Sequence, residues 1–371
     1  MRKFLLPLAV ILALLILPLG AFAADQSNIK VKINDQVLYF DVNPIIDNGR
    51  TLVPVRGIFE NLGADVQWIA QTSTVLATRG DTQVKLQIGN ANAYVNDQVI
   101  PLDVPAKIVN GSTLVPVRFI SESLGATVGW DSGSSTVLIR DAGAKSIDYK
   151  KLYNAFMSSR QAEFKFTIKE NISLMGQTLN ATGSGSGEVN NNDGHIKLNL
   201  SMPELGGTMA MELIIKGGNI YMKIGDTPWT TSSIDLSQAT LDYELLSEAM
   251  LTEILKESAV KQENNVSING KSTTKYTLKT DEELLTSVIN NLFSASGQFN
   301  TMNNLPSISA IDYLIIIYID DQDHIVKQQV QAEMSGTIPD LQTNFDINAT
   351  GDIDYFNVGK PVTITAPAID M

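Results

Sequence analysis

The sequence predicts an α+β protein in two parts: two small repeats, each an antiparallel sheet with one helix, and then a larger antiparallel sheet with helices. Two observations lead to this prediction. A passage rich in turn and core residues is written twice, 62 residues apart. Long stretches of the second half alternate apolar with polar residues, which is typical of strands that bury one face. The duplication in the first part and the alternation in the second therefore distinguish the two parts of the chain.

The duplicated passage runs over Thr51–Trp68 and again over residues 113–130, with 13 of 18 positions identical. A fixed period indicates a duplicated structural unit, and we place the copies at about residues 29–80 and 91–140. In the first copy a short strand leads into Pro54, which suits a helix start because its missing N–H is not needed there. Gly63 then suits the left-handed residue that ends a helix.

Residues that recur in both copies are candidates for packing and for binding. The sheet of each copy is expected to pack on its helix through Ile58, Leu62 and Trp68, and through Ile120, Leu124 and Trp130. The tryptophans could instead stack on sugars, but each follows an apolar alternation at a strand end, which favours core packing. Arg56 and Arg118 could bind a ligand, but Glu60 and Glu122 lie one helical turn away and predict ion pairs within the helices.

The first 23 residues are typical of a secretory signal peptide. Arg2 and Lys3 give a positive start, Leu5–Leu19 an apolar stretch, and Ala21-Phe22-Ala23 a cleavage site with small residues. A membrane anchor is the alternative, but this stretch is shorter than the roughly 20 residues that span a bilayer. We expect a secreted or cell-wall-associated protein with no transmembrane anchor after cleavage. The chain has no cysteine, which excludes disulfides and lipid attachment through cysteine.

Charge is distributed unevenly along the chain. The formal net charge is −13; residues 25–145 hold 12 acidic and 10 basic side chains, and residues 146–371 hold 28 acidic and 15 basic ones. A surface with this excess of negative charge repels nucleic acid and anionic membranes, so no nucleic-acid partner is expected. The change in charge also supports a linker at residues 141–147.

Residues 148–365 form the second predicted domain. A helix is expected over Asp148–Gln161, with further helical stretches over Leu236–Lys261 and Asp281–Phe293. Alternating residues predict the strands, which are Glu163–Ser173, Gly194–Met202, Gly207–Lys216, Gly218–Ile224, Ser272–Lys279, Asp312–Ile319, Ile325–Ser335 and Asn344–Tyr355.

The doubled run T-L-V-P-V-R-x-I-x-E-x-L-G-A-x-V-x-W resembles the copper amine oxidase N-terminal-like domain, which is found, often in tandem, in exported proteins of Gram-positive bacteria. The resemblance covers about residues 29–140. It implies an accessory module that is separate from the copper and quinone centre of the amine oxidases. The copper histidines of the catalytic domain have no counterpart, because the chain contains only His195 and His324.

The second domain resembles, in the order of its elements, bacterial lipoprotein-carrier and lipid-transport domains. Lys223-x-Gly225-x5-Thr231 follows a strand and contains Trp229. This resemblance implies a curved antiparallel sheet wrapped around helices, with an apolar cavity. The candidate cavity residues alternate on two neighbouring strands; they are Met209, Met211, Leu213, Ile215, Ile220, Met222 and Ile224. Methionine suits flexible acyl chains, but the same faces could simply pack on the helices, and the pattern fits both interpretations.

Three other patterns are better explained by turns and strands than by chemistry. Asp320–His324 is rich enough in oxygen for Ca²⁺, but it lacks the spacing of an EF-hand and lies between two strands, as turns do. The run Gly183–Gly187 precedes neither Lys-Ser/Thr nor a helix, so we expect a flexible hairpin or a strand edge rather than a phosphate loop. Neither histidine lies near a G-x-S-x-G sequence, which the chain lacks.

These patterns favour a binding protein over an enzyme. No catalytic residue, cofactor or metal ligand is predicted, although a hydrolase with a carboxylate pair stays open because Asp and Glu are plentiful. The first hypothesis is an exported, non-enzymatic binding or scaffold protein of a Gram-positive-type cell envelope, whose repeats dock on a cell-wall component or an envelope protein. The alternative is a carrier of a lipid, a lipopeptide or another acyl ligand in an apolar cavity of the second domain.

Overall fold

The structure is a computed structural model that describes residues 29–191, 193–205, 207–217, 219–233, 258–279, 307–338 and 343–368. These residues are mostly β-strand, with three α-helices. They form two compact units, residues 25–147 with 259–261 and residues 148–258 with 262–371. No helix within the described ranges is long and apolar enough to cross a membrane. The predicted signal peptide and the predicted helix over Asp281–Phe293 lie outside the described residues.

In the first unit, equivalent positions of the two copies form equivalent elements. Helix α1 (Val55–Asn61) and helix α2 (Val117–Ser123) each follow a proline, and Gly63 and Gly125 have the positive φ angles expected after a helix end. The strands are β1 (Lys30–Ile33), β2 (Gln36–Val37), β3 (Ile45–Asp47), β4 (Arg50–Pro54), β5 (Asp65–Ile69), β6 (Thr74–Arg79), β7 (Thr82–Gln87), β8 (Asn92–Val95), β9 (Gln98–Pro101), β10 (Lys107–Val109), β11 (Ser112–Pro116), β12 (Thr127–Asp131) and β13 (Thr136–Arg140).

Strands of the two copies mix in shared sheets. The orders are β12-β13-β1-β2, β10-β11-β4-β3 and β5-β6-β7-β8-β9. β1 pairs with β13 in parallel, with Lys30 opposite Thr136. This differs from the expected separate antiparallel sheet for each copy. Local sequence patterns specify where a strand lies, but the partner of β1 is a hundred residues away and no local pattern identifies it.

The two copies meet as the subunits of a symmetric dimer do. β4 and β11 are antiparallel, and Val53 lies opposite Val115, its own equivalent in the other copy. Arg79 and Asp141 are also equivalent positions, and the guanidinium donates two hydrogen bonds of 2.6 and 2.8 Å to the carboxylate. A surface that meets its own copy is self-complementary. The main core cluster therefore contains residues of both copies, and a smaller cluster is formed by Leu52, Val104 and Leu114.

The second unit contains one helix and a sheet of eleven strands. Helix α3 (Tyr149–Ser159) begins after Asp148, whose carboxylate accepts a hydrogen bond of 2.9 Å from the backbone N–H of Lys151. The strand order is β19-β18-β17-β16-β15-β14-β24-β23-β22-β21-β20. The strands are β14 (Gln161–Leu174), β15 (Gln177–Asn190), β16 (Asp193–Met202), β17 (Gly207–Lys216), β18 (Asn219–Ile224), β19 (Thr230–Ser233), β20 (Ala259–Ile268), β21 (Lys271–Lys279), β22 (Ser307–Ile319), β23 (Ile325–Ile338) and β24 (Thr343–Phe356).

Alternation of buried and exposed residues is strict in the central strands. In β14 every second side chain from Ala162 to Leu174 is buried, and β24 shows the same pattern from Phe345 to Tyr355. These side chains form one apolar face, the inner face of the sheet. The predicted helix over Leu236–Lys261 is wrong at its end, where Ala259 begins β20 instead; its other residues up to position 257 lie outside the described ranges.

The expectation of a hairpin or edge at Gly183–Gly187 is wrong. These residues lie within β15, which pairs with β14 on one side and β16 on the other. A Cβ atom on Gly185 or Gly187 would collide with the rings of Phe166 and Phe164. The glycines therefore make room for aromatic rings that lie across the strand.

Candidate functional site: a groove in the repeat unit

A groove of 470 Å³ opens on the first unit. Its walls come from residues 39–42, the start of α1, strand β5 and the turn between β10 and β11, with Val75 and Lys261 beside them. Both copies therefore contribute, because the pairing of β4 with β11 brings the turn of the second copy beside the helix of the first. The volume is in the range of small-molecule and oligosaccharide-sized sites, about 300–1,000 Å³.

Trp68 lines this groove with a partly exposed ring. It lies on β5, the edge strand of its sheet, and 43% of the residue is exposed. Its equivalent Trp130 lies on β12, also an edge strand, and is 45% exposed. The prediction that both tryptophans pack in the core is wrong, because an edge strand is covered by a neighbour on one side only. The core beside the helices is filled by the other predicted residues, Ile58, Leu62, Ile120 and Leu124.

The charged side chains of α1 also face the groove. Nε of Arg56 lies 3.9 Å from Oε1 of Glu60, and the equivalent atoms of Arg118 and Glu122 are also 3.9 Å apart. The predicted ion pairs within the helices are thus present. All four side chains are exposed, and such pairs contribute only about 0.3–0.5 kcal/mol. Arg56 and Glu60 can therefore exchange this weak pair for contacts with a ligand.

The floor of the groove depends on a glycine that the second copy lacks. The ring of Phe40 lies against Gly57, so close that a Cβ atom there would be 2.9 Å from the ring. The second copy has Leu102 at the position of Phe40 and Phe119 at the position of Gly57. The phenylalanine thus occupies the earlier of the two positions in the first copy and the later one in the second copy. The groove lies on the first copy.

The arrangement suits a ligand with flat apolar faces and many polar groups. Trp68 and Tyr39 supply aromatic rings, while Asp41, Arg56 and Glu60 supply charge. Aromatic rings beside hydrogen-bonding side chains can hold a molecule by stacking and by directed polar contacts together. A purely apolar ligand would leave these charges unpaired, which disfavours a lipid in this groove.

Comparison with known proteins identifies the part of the chain that carries the groove. Residues 32–139 match the family model of the copper amine oxidase N-terminal domain. This range, called the copper amine oxidase N-terminal domain below, contains both copies of the repeat and all the lining residues of the groove except Lys261. A relative from Brevibacillus choshinensis with the name "Protease inhibitor" is 25% identical over 302 residues, which is 73% of this chain and 86% of the relative.

Several solved structures are similar to part of this chain. Lipoprotein LppX of Mycobacterium tuberculosis has a TM-score of 0.32 at 13% identity and covers 58% of this chain and 97% of its own. LprF of Mycobacterium bovis has a TM-score of 0.27 at 14% identity and covers 59% of this chain and 96% of its own. A lipoprotein-sorting domain of Vibrio parahaemolyticus has a TM-score of 0.22 at 9% identity, with coverage of 56% and 92%. At these scores the similarity carries no argument about a shared ligand.

Outside the copper amine oxidase N-terminal domain, the structure brings the predicted cavity residues onto one face. β17 and β18 pair with Met211 opposite Ile224, Leu213 opposite Met222, and Ile215 opposite Ile220. Met211 is buried, and the other residues of this set, including Met209, are half-buried. Ligand binding by this face stays a prediction.

The acidic sequence Asp320–His324 forms a turn. Asp320 accepts hydrogen bonds from the backbone N–H groups of Gln322 and His324, and Asp323 accepts one of 2.8 Å from Lys151 and one of 2.7 Å from Asn154. Burial raises the pKa of Asp323, but these hydrogen bonds outweigh it and hold the pKa below its usual range. Within the described part of the chain, no group of three or more Asp, Glu or His side chains is arranged to hold a metal ion.

Sequence reasoning missed two features of the second unit. On the outer face, the ring of His195 lies between Glu188 and Glu212, with Nε2 2.7 Å from the Glu212 carboxylate. On the inner face, Glu170 is buried among apolar residues. The alternation of β14 contained the signal for Glu170, because it falls in step with Phe166, Ile168 and Ile172.

Proposed function

We propose that this protein is a non-enzymatic binding protein of the cell envelope, and that the groove beside Trp68 holds a polysaccharide of the cell wall. The observation behind the proposal is the partly exposed ring of Trp68, set among polar and charged side chains in a groove of suitable volume. Sugar rings present flat C–H faces and many hydroxyl groups, so they match such a surface. The predicted signal peptide supports an exported location.

The duplication supplies the control for the decisive experiment. Full-length protein, wild type or variant, is incubated with isolated cell walls, and the bound fraction is measured over a range of protein concentrations. Trp68→Ala should weaken retention by about tenfold or more, because aromatic anchors at the centre of an interface often contribute more than 1 kcal/mol. Trp130→Ala removes an equally exposed tryptophan away from the groove and should bind like wild type.

Two results would refute wall binding through the groove. One is retention no greater than that of an unrelated acidic protein of similar size. The other is an equal loss with both tryptophan variants, which would show that the rings matter for the fold and not for the groove.

A double substitution in the first copy, to the residues of the second copy, tests separately whether the shape of the groove matters. The double variant Phe40→Leu and Gly57→Phe reproduces the residues that the second copy has at these positions. The smaller side chain at position 40 makes room for the larger one at position 57, so the variant should stay folded, and it should lose wall binding because both positions line the groove. Unchanged binding by a folded double variant would exclude this groove as the site.

Protease inhibition is a second candidate, supported by the name of the relative from Brevibacillus choshinensis. The alignment covers 73% of this chain, so it extends beyond the copper amine oxidase N-terminal domain. Full-length protein should then reduce the activity of at least one class of secreted protease at near-stoichiometric concentrations. Full activity of serine, cysteine and metalloproteases in the presence of excess protein would remove this candidate.

Carriage of a lipid or lipopeptide is a third candidate, supported by the inner face of the large sheet. The paired residues of β17 and β18 give a continuous apolar surface that is half-buried and thus partly accessible. Native mass spectrometry and solvent extraction of the purified protein should then release an acyl compound. Recovery of a ligand-free protein that binds no long-chain probe would exclude carriage.

A further inference from the structure

Glu170 places a carboxyl group on the inner face of the large sheet. It lies at the middle of β14, and only 4% of the residue is exposed. Its neighbours on this face along the strand are Ile168 and Ile172, both fully buried. Acidic side chains are almost never buried to this degree unless a partner neutralises them.

Among the described residues the carboxyl group has no partner. No hydrogen bond or ion pair joins it to any of them. Burial raises the pKa of Glu170 to about 8, so the group is mostly protonated at neutral pH. The other titratable groups that the described strands bring to this face are the hydroxyls of Tyr276, Tyr313 and Tyr355.

The residues beside Glu170 on the inner face are small. The cross-strand neighbours are Ala181 in β15 and Ala349 in β24, and Ala332 follows in β23. Two residues further along β14, on the same face, the side chains are large. Ile172 there lies between Leu179 and Ile347. Small side chains therefore flank the carboxyl group on this face, and larger ones follow it along the strands.

We propose that Glu170 binds the ammonium group of a cationic amphiphile, a long-chain amine whose hydrocarbon chain lies along the inner face of the sheet. A buried carboxylate needs a counter-ion, and none of the described residues supplies one, so the ligand brings it. Hydrogen bonds between an ammonium and a carboxylate are about twice as strong as neutral ones. The excess of acidic over basic residues in residues 146–371 also attracts cations.

Binding of the amine changes the protonation of Glu170. Below about pH 8 the carboxyl group holds a proton in the unliganded protein, and it must release that proton to solvent before it pairs with the ammonium. Up to about one proton should therefore be released for each amine bound at pH 7. A ligand that only packs on the apolar face would release none.

The test uses three probes that share one chain and differ in the head group: dodecylamine, 1-dodecanol and dodecanoate, each below its aggregation concentration. Full-length protein is titrated with each probe in a calorimeter at pH 7, in buffers of different ionisation enthalpy so that proton release is measured. Wild type should bind the amine at least about tenfold more tightly than the alcohol, and dodecanoate least tightly. Glu170→Gln should keep the affinity for the alcohol and lose both the preference for the amine and the proton release.

A charge-matched control distinguishes the effect of Glu170 from the effect of the overall negative charge of the second unit. Glu333 is exposed on the outer face of β23, and Glu333→Gln removes one negative charge there without change to the inner face. This variant should bind the amine like wild type, with the same proton release. Equal losses in both variants would refute the proposal.

The proposal rests on the carrier candidate, in which this face receives an apolar chain, and is independent of the groove beside Trp68. The outcomes separate the two ideas. Equal affinity for the amine and the alcohol in wild type, or an unchanged preference in Glu170→Gln, overturns the role of Glu170 while carriage stands. Failure of all three probes to bind overturns both.

Discussion

Among the described residues, each unit has a carboxyl group that is shielded from solvent, and these two groups have opposite properties. Asp141 in the first unit is 5% exposed in its side chain and is paired with Arg79. The hydrogen bonds from Arg79 hold the pKa of Asp141 below its usual range. Glu170 in the second unit is buried as a whole residue but has no such partner among the described residues, and burial raises its pKa to about 8.

The difference shows that burial alone does not decide what an acidic side chain does. Asp141 has its counter-ion at the equivalent position of the other copy, so its charge joins the two copies. Glu170 costs folding free energy when it ionises, since desolvation penalises the charge and nothing offsets it. A group that weakens the fold in this way is a candidate for binding, as perturbed pKa values often mark functional sites.

The largest expected effect concerns Glu170 and pH. Because the pKa of Glu170 is higher in the folded protein than in the unfolded chain, stability should fall as pH rises from about 4.5 to about 8 and then level off. The total loss should reach up to about 5 kcal/mol. Glu170→Gln should remove this loss and be more stable than wild type at high pH. Urea unfolding of both proteins at about pH 5 and pH 9 measures the difference, and parallel pH profiles would contradict it.

A smaller effect of opposite sign is expected for Arg79→Met. The variant leaves the carboxylate of Asp141 buried without its counter-ion, and stability at pH 7 should fall by about 3 kcal/mol. The pKa of Asp141 is lowered in the folded protein, so the pair stabilises above the unfolded pKa and its contribution is lost as pH falls through the folded pKa. Calorimetric unfolding of the first unit should show the two proteins converging in acid. A constant gap at all pH values would mean that lost packing is responsible.

The neighbouring ion pair of Arg140 and Asp35 is exposed, and it gives a matched comparison for Arg79→Met. Arg140 donates hydrogen bonds of 3.1 and 2.9 Å to Asp35, and it joins the same two copies, but both side chains are exposed. Arg140→Met should therefore lower the unfolding free energy far less than Arg79→Met in the same calorimetric experiment. A loss as large as that of Arg79→Met would show that charge between the copies matters more than burial.

The smallest effects are expected for the two pairs within the helices. Glu60→Gln and Glu122→Gln each weaken an exposed contact of 3.9 Å, and each should cost about 0.3 kcal/mol or less. Because the helices occupy equivalent positions, the two losses in unfolding free energy should be equal within error. A clearly larger loss for Glu60 would indicate that this side chain supports the groove as well as the helix.

Local patterns in the sequence predicted much of the fold. Proline and glycine gave the limits of α1 and α2, and alternation gave most of the long strands of the second unit to within about five residues, but β15 and β20 were not predicted. The same alternation fails at Gly183–Gly187, because it does not show that rings of a neighbouring strand cover glycines. The parallel pairing of β1 with β13 joins residues too far apart for any local pattern.

The candidate sites were predictable to different degrees. Trp68 was recognised as a recurring aromatic residue, but its exposure depends on the edge position of β5, which is a property of the whole sheet. The exchange of Phe40 and Gly57 for Leu102 and Phe119 is visible in the sequence, yet only the structure shows that these residues touch. Glu170 could have been found, since its position in β14 places it among apolar side chains.

The pairing of Val53 with Val115 has an evolutionary consequence. A chain with one copy of the repeat would complete the same surface by association with a second identical chain, as a homodimer with two equal grooves. Fusion of the two genes removes the requirement that both halves stay identical. One copy can then carry glycine where the other carries phenylalanine, as Gly57 and Phe119 do, and the two faces of a repeated scaffold can differ in shape.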